Sequence, residues 1–254
     1  MFKLIQGDCL EIMPQLAEQG IQVDLVLTDL PYGTTKSKWD SVIPFKPMWE
    51  CLDNLVKSKT PMIFFSQQPF TSELIHSNLK EFKHEWIYQK KCGTNIATLK
   101  YAPAKVHENV EVFCKTSPNY YPIKEPKAQS TLERDKYAYN VGGNIEVNSI
   151  KRPTYPPNCL PKDRYPFSVR QINNLKPSDR GLHPTQKPLE LLEYLIKTYS
   201  CEDDLVLDFT MGSGSTAIAC KNTNRQFIGI ELDKDYYQIA QERCKNYQTK
   251  LEVE

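Results

Sequence analysis

Residues 205–219 carry the first arrangement with chemical consequences. Leu205-Val206-Leu207 is an apolar run typical of a buried strand, and it leads directly into Asp208-Phe209-Thr210-Met211-Gly212-Ser213-Gly214. Ser215-Thr216-Ala217-Ile218-Ala219 then has the composition of a helix start. A glycine-bearing turn at this junction lets a ligand approach the backbone closely, beside the free N–H groups that begin a helix.

An acidic residue follows the next apolar run at a spacing typical of nucleoside sites. Gln226-Phe227-Ile228-Gly229-Ile230 has the pattern of a strand, and Glu231 comes 23 residues after Asp208. In nucleotide-binding folds a carboxylate at this position accepts hydrogen bonds from ribose hydroxyls. The turn matches neither the Gly-x-Gly-x-x-Gly fingerprint nor the Gly-Lys-Ser/Thr phosphate loop. The pattern therefore predicts a nucleoside site whose ligand need not carry phosphate, although turn glycines also serve chain geometry alone.

The segment His183-Pro184-Thr185-Gln186-Lys187-Pro188 stands directly before the amphipathic pattern of a helix that contains Leu189, Leu192 and Ile196. Proline suits the first helical position, so the helix is predicted to begin at Pro188. The Thr185 hydroxyl and the Lys187 ammonium group could hold a carboxylate. The alternative is a capping loop with a lysine that points to solvent.

A second acidic turn ends an apolar run near the N-terminus. Val23-Asp24-Leu25-Val26-Leu27-Thr28 has the pattern of a strand, and Asp29-Leu30-Pro31-Tyr32-Gly33 has the composition of a turn. Buried strands that end in polar turns are typical of parallel sheets. Considered alone, these residues could form an ordinary strand-end turn.

The elements around these turns alternate between strand and helix. A helix-like stretch at 47–58 precedes the apolar run 61–65, a strand is indicated at 106–114, and residues 236–247 have the pattern of a closing helix. Alternation of this kind predicts a doubly wound, mostly parallel α/β sheet.

The composition narrows the class of protein. A chain of 254 residues suits one α/β domain with an insertion. The eight cysteines include no Cys-x-x-Cys pair, which argues against zinc and for reduced thiols in the cytoplasm. No signal peptide or membrane span is indicated. Because 32 Lys and Arg face 31 Asp and Glu, any charge that binds nucleic acid must be local.

That local charge lies between residues 115 and 187. This stretch has 13 Lys and Arg against 6 Asp and Glu, together with several tyrosines, and ten of the 18 prolines fall between Pro118 and Pro184. A basic, aromatic and irregular segment suits backbone phosphates and unstacked bases. An ordinary solvated loop region remains the alternative.

These segments together resemble the β class of amino-group-specific DNA methyltransferases, in which the catalytic region precedes the cofactor region. Residues 29–32 resemble the motif (Asp/Asn/Ser)-Pro-Pro-(Tyr/Phe/Trp), residues 208–216 resemble Asp-Pro-Phe-x-Gly-Ser-Gly-Thr-Thr, and residues 183–188 match His-Pro-Thr-x-Lys-Pro. Residues 7–10 resemble the short motif whose Asp contacts the cofactor adenine. The likeness spans nearly the whole chain except 115–181, with the motifs in the family's order.

The resemblance implies a doubly wound, mostly parallel, Rossmann-like methyltransferase sheet. Residues 1–114 would form its catalytic half, 115–181 an irregular target-recognition insertion, and 182–254 the cofactor-binding half. It also implies S-adenosyl-L-methionine as methyl donor and no metal. The residues implied to bind the cofactor are Asp8, Cys9, Asp29, His183, Thr185, Lys187, Asp208, Phe209, Gly212, Gly214, Ser215, Thr216, Glu231 and Leu232.

The catalytic set implied by the resemblance is Asp29, Leu30, Pro31 and Tyr32. An exocyclic amine is a poor nucleophile because its lone pair is delocalised into the ring, and two acceptors on its N–H bonds free that pair. The Asp29 carboxylate and the Leu30 carbonyl are expected to be these acceptors, while Tyr32 stacks on a base that has left the duplex. Leu30 replaces the first proline of the motif and acts through its backbone.

The expected activity is methylation of adenine N6 in DNA, since Asp at the first motif position is associated with adenine in this family. Cytosine N4 methylation, RNA base methylation and a catalytically idle DNA-binding protein are the alternatives. The expected setting is the cytoplasm of a prokaryotic cell or a phage-encoded protein. DNA is the expected partner, and a homodimer and a separate restriction endonuclease are left open.

Overall fold

A computed structural model of the chain describes residues 1–33, 41–93, 95–140, 161–172 and 186–247. Strands and helices alternate through most of these residues. The strands are β1 (Phe2–Gln6), β2 (Leu25–Asp29), β3 (Met62–Ser66), β4 (Phe82–Gln89), β5 (His107–Phe113), β6 (Glu125–Pro126), β7 (Asp163–Arg164), β8 (Val169–Gln171), β9 (Leu205–Asp208) and β10 (Gln226–Glu231). The helices are α1 (Cys9–Glu18), α2 (Phe45–Leu55), α3 (Phe70–Ser77), α4 (Gln129–Asn140), α5 (Leu189–Tyr199), α6 (Ser215–Asn222) and α7 (Lys234–Asn246).

Eight strands form one sheet in the order β1-β10-β9-β2-β3-β5-β4-β8. The first five strands in this order run parallel to one another, whereas β5 runs antiparallel to both β3 and β4. The chain winds outward in opposite directions from β9 and from β2, which lie side by side. In such sheets ligands bind beyond the carboxyl ends of the strands where the winding reverses. This point lies between Asp208 and Asp29.

The central strands are buried on both faces. Every residue of β3 and β9 is buried, as are the first four residues of β2. One face packs against α5, α6 and α7, and the other against α1, α2 and α3. Continuous apolar runs are required of strands covered on both sides, so the patterns that predicted these strands have a direct physical cause. The predicted α/β class and mostly parallel sheet are confirmed.

The contacts divide the chain into two compact units, Met1–Tyr121 with Ser168–Glu254, and Pro122–Phe167. The second unit contains α4 and the short antiparallel pair of β6 and β7. It is narrower than the predicted 115–181 insertion, because β8 joins the main sheet beside β4. A three-residue strand with the sequence Val-Arg-Gln has too weak a pattern to be recognised in advance.

The start of α5 also differs from its prediction. Pro188 has an extended backbone with ψ 134°, and α5 begins at Leu189. The Pro188 carbonyl accepts hydrogen bonds from the N–H groups of Leu191 and Leu192, at 3.1 and 3.2 Å. Pro188 therefore precedes the helix as its N-cap instead of filling its first helical position.

A buried carboxyl group in β5 makes the stability of the fold depend on pH. Glu111 is fully buried, its Oε1 accepts from the Ser66 hydroxyl at 3.2 Å, and its Oε2 has no hydrogen-bond partner among the described residues. Burial, with a smaller contribution from the charge of Glu85, raises the pKa of Glu111 to about 7. Ionised Glu111 therefore destabilises the native state above that pH, and this penalty fades as the carboxyl becomes protonated.

We expect Glu111→Gln to raise the free energy of unfolding at pH 8.5 by about 1 to 3 kcal/mol. The gain should shrink as the pH falls below 7 and disappear near pH 4, because wild-type Glu111 is then protonated in the unfolded state as well as in the native state. Urea denaturation across this range measures the difference, with the exposed Glu50→Gln as a control. An equal gain at pH 5 and pH 8.5 would show that the charge of Glu111 is not its cause.

Candidate active site

The Asp29 carboxylate stands at the end of β2, where the winding of the sheet reverses. Its Oδ1 accepts a hydrogen bond from the Tyr32 hydroxyl at 2.6 Å. The Tyr32 ring packs against Phe70 with a centroid distance of 5.3 Å and a tilt of 43°. Leu30, between them, is buried in the core beneath the turn. The turn thus presents a carboxylate and an aromatic ring side by side.

Two threonines connect this turn to the end of β9. The Thr28 hydroxyl donates to Asp208 Oδ1 at 2.8 Å and lies 2.6 Å from the Thr210 hydroxyl. The Thr210 hydroxyl in turn donates to the backbone carbonyl of Asp29 at 2.9 Å. These contacts fix the two acidic turns relative to each other. Thr210 therefore has a structural task at the place where the family motif has a different residue.

Asp208 is almost fully buried. Burial raises its pKa to about 6, although hydrogen bonds from the side chains of Thr216 and Thr28 lower it, and the nearby charge of Asp29 raises it further. A buried carboxylate with this many donors is held in a fixed orientation. These contacts attach Asp208 to Thr210, before the glycine turn, and to Thr216, in the first turn of α6.

The turn after β9 needs its glycines. Gly212 and Gly214 have φ values of +53° and +78°, a region that residues with a Cβ rarely adopt. A Cβ on Gly214 would also lie 3.1 Å from the Cβ of Ala240 in α7. The N–H of Gly212 donates to Glu231 Oε2 at 2.8 Å. The turn is thereby attached to the end of the neighbouring strand, β10.

Glu231 is held by backbone groups on both oxygens. Gly212 N donates to Oε2, and Asp233 N donates to Oε1 at 2.8 Å. Burial raises the pKa of Glu231, while these backbone hydrogen bonds lower it. Each carboxylate oxygen has two lone pairs, so Glu231 retains acceptor capacity for a ligand.

The turn after β1 reaches the same place. Asp8 is the N-cap of α1, and its Oδ1 accepts from Leu10 N at 2.8 Å. The preceding Gly7 donates its N–H to the carbonyl of Glu231 at 2.9 Å. Asp8 and Cys9 therefore lie beside the end of β10, as a shared binding site requires.

A cavity of about 700 Å³ lies across these strand ends. Its lining includes most of the residues predicted from sequence to act together: Asp8, Cys9, Asp29, Leu30, Pro31, Tyr32, Lys187, Asp208, Phe209, Gly212, Ser215, Thr216, Glu231 and Leu232. Gly214 does not line it and acts through the turn. The predicted residues His183 and Thr185 lie outside the described residues. The structure adds lining residues that sequence reasoning missed, among them Phe65, Gln67, Glu108 and Met211.

Lys187 is buried inside this site and does not point to solvent. Its ammonium group donates to Asp29 Oδ2 and lies 3.6 Å from Glu108 Oε2. Glu108 Oε1 accepts from the ammonium group of Lys90. The sequence signal for Glu108 was weak, because it is one carboxylate in a strand, His107–Phe113, whose last residues are mostly apolar. Its position next to Lys187 depends on the pairing of β3, β5 and β4.

Neither a metal-binding cluster nor a membrane-spanning helix is found among the described residues. Within the described ranges, no cluster of three or more His, Cys, Asp or Glu side chains has the arrangement of metal ligands. Likewise, no helix within those ranges is long and apolar enough to cross a membrane.

The chain matches a known protein family over most of its length. A family model described as DNA methylase, covering N6 and N4 methyltransferases, matches residues 23–242. The chain belongs to the N6/N4 DNA methylase family. The family resemblance inferred from the motifs is therefore confirmed.

Two curated relatives match this methyltransferase over nearly its full length. The type II methyltransferase M.HpaI of Haemophilus parainfluenzae is 30% identical over 256 residues, which cover 95% of this chain and 73% of that protein. The type II methyltransferase M1.MboII of Moraxella bovis is also 30% identical, with 94% of each chain covered.

Two solved structures have the same fold. M1.HpyAVI in complex with S-adenosylmethionine aligns with a TM-score of 0.65 and 24% identity, covering 96% of this chain and all of the other. The PvuII DNA methyltransferase, described as cytosine-N4-specific, aligns with a TM-score of 0.64 and 15% identity, covering 98% and 89%. The predicted Rossmann-like methyltransferase fold is confirmed.

The site also fits the family's methyl donor. The cavity joins a glycine turn at the start of α6, a carboxylate with spare acceptor capacity at the end of β10, and apolar surface from Phe209 and Met211. A nucleoside without phosphate needs acceptors for its hydroxyls and apolar walls for its base, and these groups supply both. The methyltransferase uses S-adenosylmethionine, as the motifs implied.

Proposed function

We propose that this DNA methyltransferase modifies N6 of adenine at a specific site in DNA, after the target nucleotide has rotated out of the duplex. The observation that carries the proposal is the Asp29 carboxylate at the cavity, next to Tyr32. Since stacking hides an exocyclic amine in duplex DNA, the base has to enter this cavity to be reached. Cytosine N4 is the second candidate, because an enzyme described as cytosine-N4-specific shares the fold.

The catalytic turn would act by positioning. The carboxylate of Asp29 and the carbonyl of Leu30 would each accept one N–H of the amine, which frees the nitrogen lone pair for attack. The Tyr32 hydroxyl holds Asp29 Oδ1 at 2.6 Å. An incoming amine would replace that hydroxyl, leaving the Tyr32 ring against the base.

The cofactor site would be formed by the turns after β1, β9 and β10. S-adenosylmethionine, when bound, supplies a methyl group already activated by its sulfonium. Glu231 would accept from ribose hydroxyls, Asp8 would contact the adenine ring, and the glycine turn would admit the ligand close to the backbone. The other described residues of the proposed cofactor site are Cys9, Asp208, Phe209, Gly214, Ser215, Thr216 and Leu232.

The second unit, Pro122–Phe167, is our candidate for target recognition. Its side chains include two aromatic rings that are largely exposed, Tyr165 at 64% and Phe167 at 61%. Lys124 Nζ lies 5.5 Å from the centroid of Tyr165, and Arg164 Cζ lies 3.8 Å from that of Phe167. Exposed rings paired with cations suit both bases and phosphates. We therefore retain this region as the proposed DNA-reading part of the insertion.

Several finer expectations belong to the same proposal. Because relatives of this chain are named type II methyltransferases, a separate restriction endonuclease is a proposed functional partner. The bacterial origin of these relatives supports the expected setting in a prokaryotic cytoplasm. A homodimer would be detected by sedimentation of the purified protein with and without DNA.

The identity of the product tests the proposed function. We expect unmethylated DNA incubated with the enzyme and S-adenosylmethionine to yield N6-methyl-2′-deoxyadenosine after digestion to nucleosides and mass spectrometry. N4-methyl-2′-deoxycytidine in its place would overturn the adenine assignment and establish the second candidate. A matched RNA of the same sequence is expected to remain unmethylated, and preferential transfer to RNA would contradict DNA as the target.

A further inference from the structure

The Asp29 carboxylate, the proposed acceptor of the target amine, lies at one end of a row of charged side chains that alternate in sign. Direct ion pairs join Asp29 to Lys187, Lys187 to Glu108, and Glu108 to Lys90. Their side chains are between 8% and 24% exposed, so water screens these pairs only weakly. Asp29 ends β2, Lys187 lies in the turn before α5, Glu108 lies in β5, and Lys90 directly follows β4. The cluster therefore exists only in the folded sheet.

The ammonium group of Lys187 is fixed from several sides. It donates to Asp29 Oδ2, lies 3.6 Å from Glu108 Oε2, and lies 5.0 Å from the centroid of the Phe65 ring. Burial by itself lowers the pKa of Lys187, but the charges of Asp29 and Glu108 outweigh it and raise the pKa above its usual value. Lys187 is accordingly a cation at neutral pH.

Glu108 is also kept charged. Burial tends to raise its pKa, but Lys187 and Lys90 oppose this and lower the pKa below the usual range. Breaking a buried pair by removing one partner costs much more than a surface pair, because the remaining charge has no compensation. Glu108 therefore keeps Lys187 in place, and Lys90 keeps Glu108 in place.

We propose that Lys187 and Glu108 are positioning residues for Asp29: Lys187 holds Oδ2 in a fixed orientation and Glu108 holds Lys187, so that Oδ1 remains available for the target amine. The inference rests on the proposed role of Asp29. Asp29 needs such a cation because Asp208, a second carboxyl, lies close enough for their charges to interact. The sequence alone assigned Lys187 to the cofactor carboxylate, and the two assignments predict different kinetics.

The test compares Lys187→Met, Lys187→Arg and Glu108→Gln with wild type in the full-length enzyme. The kcat on DNA, the KM for DNA and the cofactor Kd are measured for each. Lys57→Met is the matched control, because Lys57 forms an ion pair with Asp24 at 2.6 Å and does not line the cavity. This control is expected to behave as wild type.

If Lys187 positions Asp29, Lys187→Met lowers kcat about 100-fold at pH 7 and changes the cofactor Kd less than about threefold. Lys187→Arg is expected to recover most of this loss, because its cation can still pair with Asp29 Oδ2. This division of the effect between kcat and the cofactor Kd, with rescue by the conservative variant, is the signature of a positioning residue.

Glu108→Gln is expected to lower kcat about tenfold and to leave the cofactor Kd near its wild-type value, because Lys187 loses the ion pair that helps to hold it against Asp29. The double variant is expected to be no slower than Lys187→Met, since both residues act through Asp29. This non-additivity separates positioning from two independent structural effects. If Lys187→Met fails to fold, Glu108→Gln and Lys187→Arg still decide the question: a cofactor Kd raised more than tenfold with kcat unchanged in either variant contradicts the proposal.

A rise of the cofactor Kd by more than tenfold in Lys187→Met, with kcat unchanged, would overturn the proposal and favour the cofactor-carboxylate role. Failure of the underlying function looks different. In that case Asp29→Ala itself would transfer methyl groups at the wild-type rate, whatever the Lys187 variants do.

Discussion

Asp29→Ala is expected to lower methyl transfer to DNA by about a thousandfold or more while leaving cofactor binding largely intact. The carboxylate is one of two acceptors proposed for the target amine, and a single preorganised hydrogen-bonding group at a reacting centre is worth about 10²- to 10³-fold in rate. The loss of charge beside Lys187 adds to the effect, since that cation loses its ion pair with Asp29 and keeps the one with Glu108. Transfer of labelled methyl groups, measured in a single turnover, provides the rate.

Leu30→Pro is the matched control for this experiment. Leu30 is proposed to act through its carbonyl, and proline supplies the same carbonyl with a backbone that is more restricted. We expect this variant to retain activity within about threefold. A correctly folded but inactive Leu30→Pro enzyme would show that the backbone assignment is wrong, and full activity of Asp29→Ala would show that the carboxylate is not the acceptor.

Glu231→Ala is expected to weaken S-adenosylmethionine binding about 100-fold. The variant removes the proposed acceptor of the ribose hydroxyls, and hydrogen bonds to a charged group contribute roughly 1.5 to 3 kcal/mol each. It also leaves the N–H groups of Gly212 and Asp233 without the carboxylate that holds them at 2.8 Å. The glycine turn would then lose one of its attachments to β10. Titration calorimetry with the purified protein measures the change in Kd.

Two further variants sharpen the result for Glu231. Glu231→Gln keeps the shape of the side chain but places an amide NH₂ against one of the two backbone donors, so we expect it to bind almost as weakly as the alanine variant. Glu242→Ala removes an exposed glutamate in α7 and is expected to bind normally. Unchanged affinity in Glu231→Ala would exclude Glu231 from the cofactor site.

Local patterns were sufficient for the framework of the fold. Strands covered by helices on both faces must be apolar along their whole length, so β2, β3 and β9 are visible as continuous runs. Turn chemistry is similarly local, because Gly212 and Gly214 need backbone angles that other residues rarely adopt. For these reasons the α/β class, the acidic turns and the family were all predictable from the amino-acid sequence.

The contents of the site depended on tertiary structure. Lys187 and Asp29 are 158 positions apart, and their contact requires the turn before α5 to lie over the end of β2. Glu108 joins them because β5 pairs with β3 in an antiparallel register, which its own residues do not specify. The hydroxyl of Thr210 on the Asp29 carbonyl is a contact of the same kind.

The sequence by itself thus determined which turns carry reactive side chains, whereas the packing of the sheet decided which of those side chains meet. The physical reason is the range of the interactions. Strand burial and glycine conformations are set by neighbours within a few residues, but ion pairs in a buried site are set by strand order and register, which depend on the whole core.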